Sequence, residues 1–179
     1  HKDAFKLSKK LKIPMFSTPF SIRAVNFLKK FNPPVYKISS FEITDIALIN
    51  HIAKIGKPII ISTGLANFKE IDNAIKTITK YHKKIIILYC VSSYPTPESQ
   101  ANILTLRSFQ KKYKNFLIGL SDHTKDINSS LAATSLGASI IEKHFKISDN
   151  IKSLDSEFSI NFKQLQELKN RSRKIFLSL

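Results

Sequence analysis

The most regular feature of the chain is an alternation of short apolar segments with longer amphipathic ones. Short, mostly apolar segments recur at residues 13–17, 35–38, 58–62, 85–90, 116–120 and 139–142. Between them apolar residues return every three or four positions, as at Ile71, Ile75 and Ile78, which predicts helices with one buried face. Apolar strands that alternate with amphipathic helices are typical of a parallel α/β sheet built from βα units.

The spacing of these segments favours one kind of parallel sheet. The chain has only four glycines, too far apart for G-x-G-x-x-G or a Walker A loop, which excludes both common nucleotide fingerprints. A repeat of roughly 25 residues without that signature favours a TIM (β/α)8 barrel, with an open doubly wound sheet as the alternative. A barrel needs eight units, six are visible, and His1 falls in a predicted helix. We therefore expect residues 1–179 to form one truncated barrel domain.

Charge and composition limit the classes of partner. The 29 Lys and Arg residues against 13 Asp and Glu give a net charge of +16, but few of the cations are arginines, which suit base and phosphate contacts best. The apolar runs are far shorter than the ~20 residues of a spanning helix, and the single Cys90 excludes a disulfide framework. We expect a cytoplasmic protein with a lysine-rich surface and no nucleic-acid or membrane partner; a non-catalytic basic binding module is the alternative.

Polar side chains follow every predicted strand. The clusters are Ser17-Thr18, Lys37 with Ser39-Ser40 and Glu42, Ser62-Thr63, Ser92-Ser93-Tyr94, Ser121-Asp122-His123 and Glu142-Lys143-His144. In parallel α/β folds the carboxyl ends of the strands form the active-site face, so these clusters predict an anion-binding site without a glycine loop. Lys37 lies inside an apolar strand, where an unpaired ammonium is costly, so it either pairs with Glu42 or binds a phosphate or carboxylate.

Two histidines end consecutive predicted strands. His123 and His144, with Asp122 and Glu142 nearby, could share a divalent cation and leave coordination positions open for water and substrate oxygen. The alternative is a pair of hydrogen-bonded core histidines.

Five strings of the sequence, in order, resemble the sialic acid synthase family, and the resemblance runs from about residue 13 to residue 170. The strings are YKISSFEI, GKPIIISTGLA, CVSSYPTP, GLSDHT and GASIIEKHF. The resemblance implies a synthase that condenses phosphoenolpyruvate with an N-acetylated amino sugar to a nine-carbon acid and releases phosphate. It also implies a TIM barrel followed by a small antifreeze-like domain, in a domain-swapped homodimer. This chain would then cover barrel strands three to eight, lack the C-terminal domain and be inactive alone.

The resemblance also implies roles for individual residues. Those expected around phosphoenolpyruvate are Thr18, Lys37, Ser40, Ser62 and Ser121, with Ser92 and Tyr94 beside them. His123 and His144 would hold Mn²⁺ or Mg²⁺, and Asp155 would hydrogen-bond the sugar. Glu42 would act as an acid, a base or a water-orienting group, with Lys37 and Tyr94 as the other catalytic candidates. The family often has Asn at the position of Ser92.

The choice of sugar rests on one segment. Residues 151–158, IKSLDSEF, lack the Pro-Gly-Pro-Asp of N-acetylneuraminate synthases and look more like the pseudaminic acid synthase branch. N-acetylneuraminate synthase, legionaminate synthase and another phosphoenolpyruvate aldol-type synthase are the alternatives.

Overall fold

A computed structural model describes all 179 residues, in which α-helices alternate with short β-strands. The helices are α1 (Lys2–Leu11), α2 (Ile22–Lys29), α3 (Ile46–Ala53), α4 (Phe68–Thr79), α5 (Thr105–Lys112), α6 (Asn128–Ser135) and α7 (Phe162–Ser178). The strands are β1 (Tyr36–Ile38), β2 (Ile59–Ser62), β3 (Ile85–Cys90), β4 (Leu117–Asp122) and β5 (Ile141–Lys143). Short 3₁₀ turns lie at Glu98–Gln100 and Ser156–Phe158. No helix has the length and apolar character needed to span a bilayer.

The chain divides into two compact units, His1–Ile86 and Ile87–Leu179, with the boundary inside β3. In the first unit β1 pairs in parallel with β2, and the amide of Ile59 donates to the carbonyl of Lys84, just before β3. In the second unit β4 pairs in parallel with β5. Parallel pairing between strands separated by helices confirms the predicted α/β class.

The structure contains five strands where the pattern predicted six. The missing strand is the segment 13–17, which has no ladder partner. Both backbone groups of Ile13 turn back to α1: its amide donates to the Ser8 carbonyl at 3.1 Å, and its carbonyl accepts from the Ser8 hydroxyl at 2.7 Å. Pro14 follows and has no N–H to offer a neighbouring strand. Apolar composition alone therefore misassigned this segment.

Three of the four helices of the first unit begin at side-chain caps, and each buries one face. Ser21 caps α2 and Asp45 caps α3, while Asn67 and Glu70 form a reciprocal capping box at α4. The α4 residues Ile71 and Ile78 are fully buried, as their spacing predicts.

Close packing in the second unit depends on one glycine. A Cβ at Gly119 in β4 would lie 2.3 Å from the Ile140 carbonyl oxygen and 2.7 Å from Leu88 Cδ2. The absence of a side chain lets the Leu120 amide donate to that same Ile140 carbonyl at 2.9 Å.

The segment that follows β5 forms a loop whose far end returns to pair with the residues directly after β5. Phe145 and Ile160 form an isolated parallel bridge, in which the Ile160 amide donates to the His144 carbonyl at 2.9 Å. Ile160 then packs with Ile127, Leu131 and Leu168 in a buried cluster beneath α7. This return places the residues just before Ile160 next to His144.

Candidate active site

The first unit carries a buried cation at the end of its strands. Lys37 in β1 lies opposite Ile60 in β2, and Ser62 follows two residues later, on the same side of the sheet. The Lys37 ammonium donates to the Ser62 hydroxyl at 2.8 Å, with the two residues only 6% and 2% exposed. A desolvated ammonium fixed by a hydroxyl is suited to bind an anionic oxygen.

Three other predicted residues of this unit lie in loops. Ser39 donates a short hydrogen bond to the Glu42 carboxylate after β1, which holds that carboxylate half-buried. Ser40 is buried beside them, and Thr18 lies half-buried between α1 and α2. Their binding and catalytic roles stay predictions.

The second unit brings four aromatic rings together at the ends of β3, β4 and β5. The His123 and His144 ring centroids lie 5.5 Å apart, and Tyr94 lies 4.2 Å from His123. Phe158 packs edge-on against His144 at 4.8 Å and against Tyr94 at 5.4 Å. The amide of Thr96 donates to the carbonyl of His123 at 2.9 Å, which fixes the Tyr94 loop against β4. The pattern predicted a histidine pair, and the rings are neighbours.

In both imidazole rings Nδ1 is the nitrogen that faces an oxygen atom of the protein. His123 Nδ1 lies 2.8 Å from the Val91 carbonyl oxygen, which can only accept, so Nδ1 carries the proton. His144 Nδ1 faces Asp155 Oδ2 at 3.5 Å. Burial lowers the pKa of His123, which keeps its ring neutral at pH 7. The His123 Nε2 is thereby left as a lone-pair donor, and a His144 ring held at Nδ1 by Asp155 would present its Nε2 in the same way, the arrangement that orients metal-binding histidines.

Two neighbouring imidazoles are ligands of a type that divalent cations accept, and they would leave coordination positions open. The described residues contain no group of three or more His, Cys, Asp or Glu side chains able to hold a metal, so the two imidazoles are the protein ligands on offer. Nitrogen donors suit Mn²⁺ better than Mg²⁺, which prefers oxygen. The choice between the two ions stays a prediction.

Hydroxyl groups line the rim of this cluster. Ser121 donates to Glu142 Oε1 at 2.8 Å and lies 3.5 Å from His123 Nε2. The Ser92 hydroxyl is buried beside the Tyr94 phenol. Burial raises the pKa of Tyr94, so its phenol stays protonated as a donor. Substrate contacts of these residues stay predictions.

Asp122 does not belong to the cluster with which the sequence grouped it. Strand alternation turns it to the opposite face, where its carboxylate meets the Lys143 ammonium at 3.1 Å. Thr124 donates to it through both amide and hydroxyl, and Ser130 of α6 donates at 2.5 Å. Burial lowers the pKa of Lys143, although the neighbouring Asp122 opposes that shift.

Sequence reasoning missed Phe158. Its position fourteen residues beyond His144 gave no reason to bring the two together, since the contact depends on the bridge at Ile160. The available signal was that Phe158 is the one aromatic residue in the segment 146–159, which also holds Asp155.

The family follows from comparison with known proteins. A family model described as the NeuB family matches residues 1–179. The chain belongs to the NeuB family. This confirms the resemblance inferred from the five strings.

Relatives named for different sugar acids are equally similar to this chain in sequence. The chain is 38% identical to the pseudaminic acid synthase of Helicobacter pylori over 180 residues, which are 100% of this chain and 53% of that protein. It is 38% identical to the N,N'-diacetyllegionaminic acid synthase of Campylobacter jejuni over 178 residues, 98% of this chain and 53% of that one. The chain thus spans about half the length of these curated relatives.

A solved NeuB-type structure shares the fold. The N-acetylneuraminic acid synthetase of Leptospira borgpetersenii superposes with a TM-score of 0.94 at 36% identity, covering 99% of this chain and 63% of that one. The correspondence of the five strands to particular strands of a complete barrel stays a prediction.

Proposed function

We propose that this chain supplies the catalytic barrel segment of a synthase that condenses phosphoenolpyruvate with an open-chain N-acetylated amino sugar. The observation that carries the proposal is the imidazole pair, whose rings are neighbours and whose Nδ1 atoms face oxygen acceptors, so that the Nε2 atoms would serve as ligands. The match of the NeuB family model to residues 1–179 and the names of the relatives support it.

The bonds change in a balanced order. The enol π electrons of phosphoenolpyruvate form a bond from its C3 to the sugar aldehyde carbon, and the aldehyde oxygen takes a proton. Water then adds at C2, and the C2–O bond to phosphate breaks to leave a 2-keto acid and inorganic phosphate. A divalent cation bound by His123 and His144 would supply Lewis acidity toward the aldehyde oxygen.

The residues of the chain divide the remaining work. Lys37, with Ser62, would bind the anionic oxygens of phosphoenolpyruvate, whose charge persists through every step. Thr18, Ser40, Ser92 and Ser121 would add hydroxyl donors. Thr18, Lys37, Ser40 and Ser62 belong to the first unit. Ser92 and Ser121 belong to the second.

Proton movement falls to the remaining polar groups. Glu42 would orient the attacking water and accept its proton. Tyr94 would lie beside phosphoenolpyruvate as a phenol donor. Asp155 would hydrogen-bond the sugar and also hold His144 through Nδ1.

The proposed sugar is the pseudaminic precursor, a 6-deoxy diacetamido altrose. Identity does not separate this choice from legionaminic acid synthesis, because both relatives are 38% identical. The proposal rests on IKSLDSEF at residues 151–158. A homodimer is the proposed assembly of the full-length protein.

The test uses the full-length gene product with phosphoenolpyruvate, Mn²⁺ and, in turn, the amino-sugar precursors of pseudaminate, legionaminate and N-acetylneuraminate. We expect phosphate release and a nine-carbon product by mass spectrometry with the diacetamido altrose. Lys37→Met should lower kcat/KM by about 10²–10³-fold, as for removal of an electrostatic group, whereas the matched Lys54→Met, at an exposed lysine, should leave it unchanged.

The histidine pair is tested by converting both His123 and His144 to Ala, with His51→Ala as control. We expect the double variant to lose metal-dependent turnover. Turnover that persists without added metal contradicts the ligand assignment. If a product forms only from another sugar, the proposed substrate is wrong, whereas the proposed reaction class still holds.

A further inference from the structure

The two imidazoles follow directly after the last paired residues of β4 and β5. Ser121 lies opposite Glu142 and Asp122 lies opposite Lys143, and Asp122 and Lys143 are the final residues of their strands. Nothing in the strand ladder itself therefore fixes His123 relative to His144. His123 is held by Val91 and Thr96 and His144 by Ile160, so the joining of the two strand ends is what remains to set one ring relative to the other.

Side chains join the strand ends on both faces of the sheet. On the imidazole face, Ser121 donates to Glu142 at 2.8 Å. On the opposite face, Lys143 Nζ lies 3.1 Å from Asp122 Oδ2, with side chains only 4% and 1% exposed.

The buried pair is saturated with hydrogen bonds. Asp122 accepts from the Thr124 amide at 2.8 Å, the Thr124 hydroxyl at 2.7 Å and the Ser130 hydroxyl at 2.5 Å. Lys143 also donates to the Thr124 carbonyl, immediately after His123. The ion pair thus fixes the residues on both sides of His123 to the residue before His144.

We propose that Asp122 and Lys143 are positioning residues, which set the distance and orientation of the His123 and His144 rings from the far side of the sheet. This inference rests on the proposed function for its purpose, because the ring pair is the proposed metal ligand set.

Stability alone does not account for a charged pair at this place. Buried ion pairs pay a large desolvation cost, and apolar side chains of similar volume often stabilise a fold equally well. What an ion pair with fixed partners provides is a defined geometry, and here that geometry ends beside two ligands that need one.

The test compares the neutral double variant Asp122→Asn/Lys143→Met with the control Glu167→Gln/Arg171→Met in the full-length gene product. The control removes another Lys/Arg–carboxylate pair of the second unit, on α7, whose side chains are 53% and 52% exposed. One readout needs no metal: nuclear Overhauser contacts between the His123 and His144 ring protons in ¹³C-histidine-labelled protein. The other is Mn²⁺ affinity, measured by electron paramagnetic resonance of the free ion.

We expect the neutral double variant to lose or weaken the cross-ring contacts and to bind Mn²⁺ about 10- to 100-fold more weakly. The control should match the wild type in both. If the pair served stability alone, its replacement would lower the melting temperature and leave the ring contacts of the folded protein unchanged. Unchanged contacts therefore overturn the proposal.

The two readouts separate this inference from the proposed function. Altered ring contacts in a protein that binds no Mn²⁺ even as wild type uphold the positioning role and contradict the metal assignment. If the neutral double variant does not fold, Ser130→Ala removes one hydrogen bond to Asp122 from α6, at a distance from both rings in sequence. It should weaken the same contacts to a smaller degree, and unchanged contacts there overturn the proposal.

Discussion

Gly119 offers the most direct test of how the second unit packs. In Gly119→Ala, the new methyl carbon would lie 2.3 Å from the Ile140 carbonyl oxygen, whereas ordinary contact begins near 3.4 Å. The backbone at Ile140 must therefore withdraw by about 1 Å, which takes the Leu120–Ile140 hydrogen bond of 2.9 Å out of its range.

The cost follows from these two effects. Overpacking a rigid core costs about 1–3 kcal/mol, and the lost hydrogen bond adds about 1 kcal/mol. We expect Gly119→Ala to lower the free energy of unfolding by about 2–4 kcal/mol, which moves the urea midpoint by about 1–2 M at an m-value near 2 kcal/mol/M. Circular dichroism during urea unfolding of the chain measures this shift.

Gly56→Ala is the matched control. Gly56 has φ +77°, but a Cβ there meets no atom within 4 Å, so only backbone strain of about 1 kcal/mol applies. The reasoning is refuted if Gly119→Ala unfolds at a urea concentration equal to or above that of Gly56→Ala.

Three further substitutions have expected outcomes. Burial raises the pKa of Tyr36, whose buried hydroxyl has no hydrogen-bond partner. Tyr36→Phe should thus raise the free energy of unfolding by about 1 kcal/mol. Above pH 10 the phenol of the unfolded chain ionises before that of the folded one, which lowers the stability of the wild type; thermal melts of Tyr36→Phe should lack this loss. Asn67→Ala should cost about 1 kcal/mol by urea titration, because it removes the α4 capping box, and Asn67→Ser should restore most of it. Leu168→Ala should cost about 2–5 kcal/mol from the cluster beneath α7, against no change for exposed Leu177→Ala.

Local pattern predicted most of the elements because burial and periodicity act over a few residues. The spacing of Ile71, Ile75 and Ile78 located α4. The segment 13–17 failed because a strand needs a partner, and apolar composition does not reveal that Ser8 occupies the backbone of Ile13.

The candidate site was predictable where it follows strand order. Consecutive strands place His123 beside His144, and alternation alone would have turned Asp122 away from them. Phe158 was not predictable in this way, because its place against His144 depends on a long-range bridge between Phe145 and Ile160. The metal, the substrates and the role of each residue stay predictions.

The bridge between Phe145 and Ile160 has a consequence for how this family can diverge. It ties both ends of the segment 146–159 to the framework, so the entropy of closing that loop is already offset by buried contacts at Ile160. Doubling the length of such a loop costs only about 0.6 kcal/mol. Insertions within the exposed residues 149–154 should therefore be tolerated, because they leave the bridge at Ile160 and the contact of Phe158 with His144 in place.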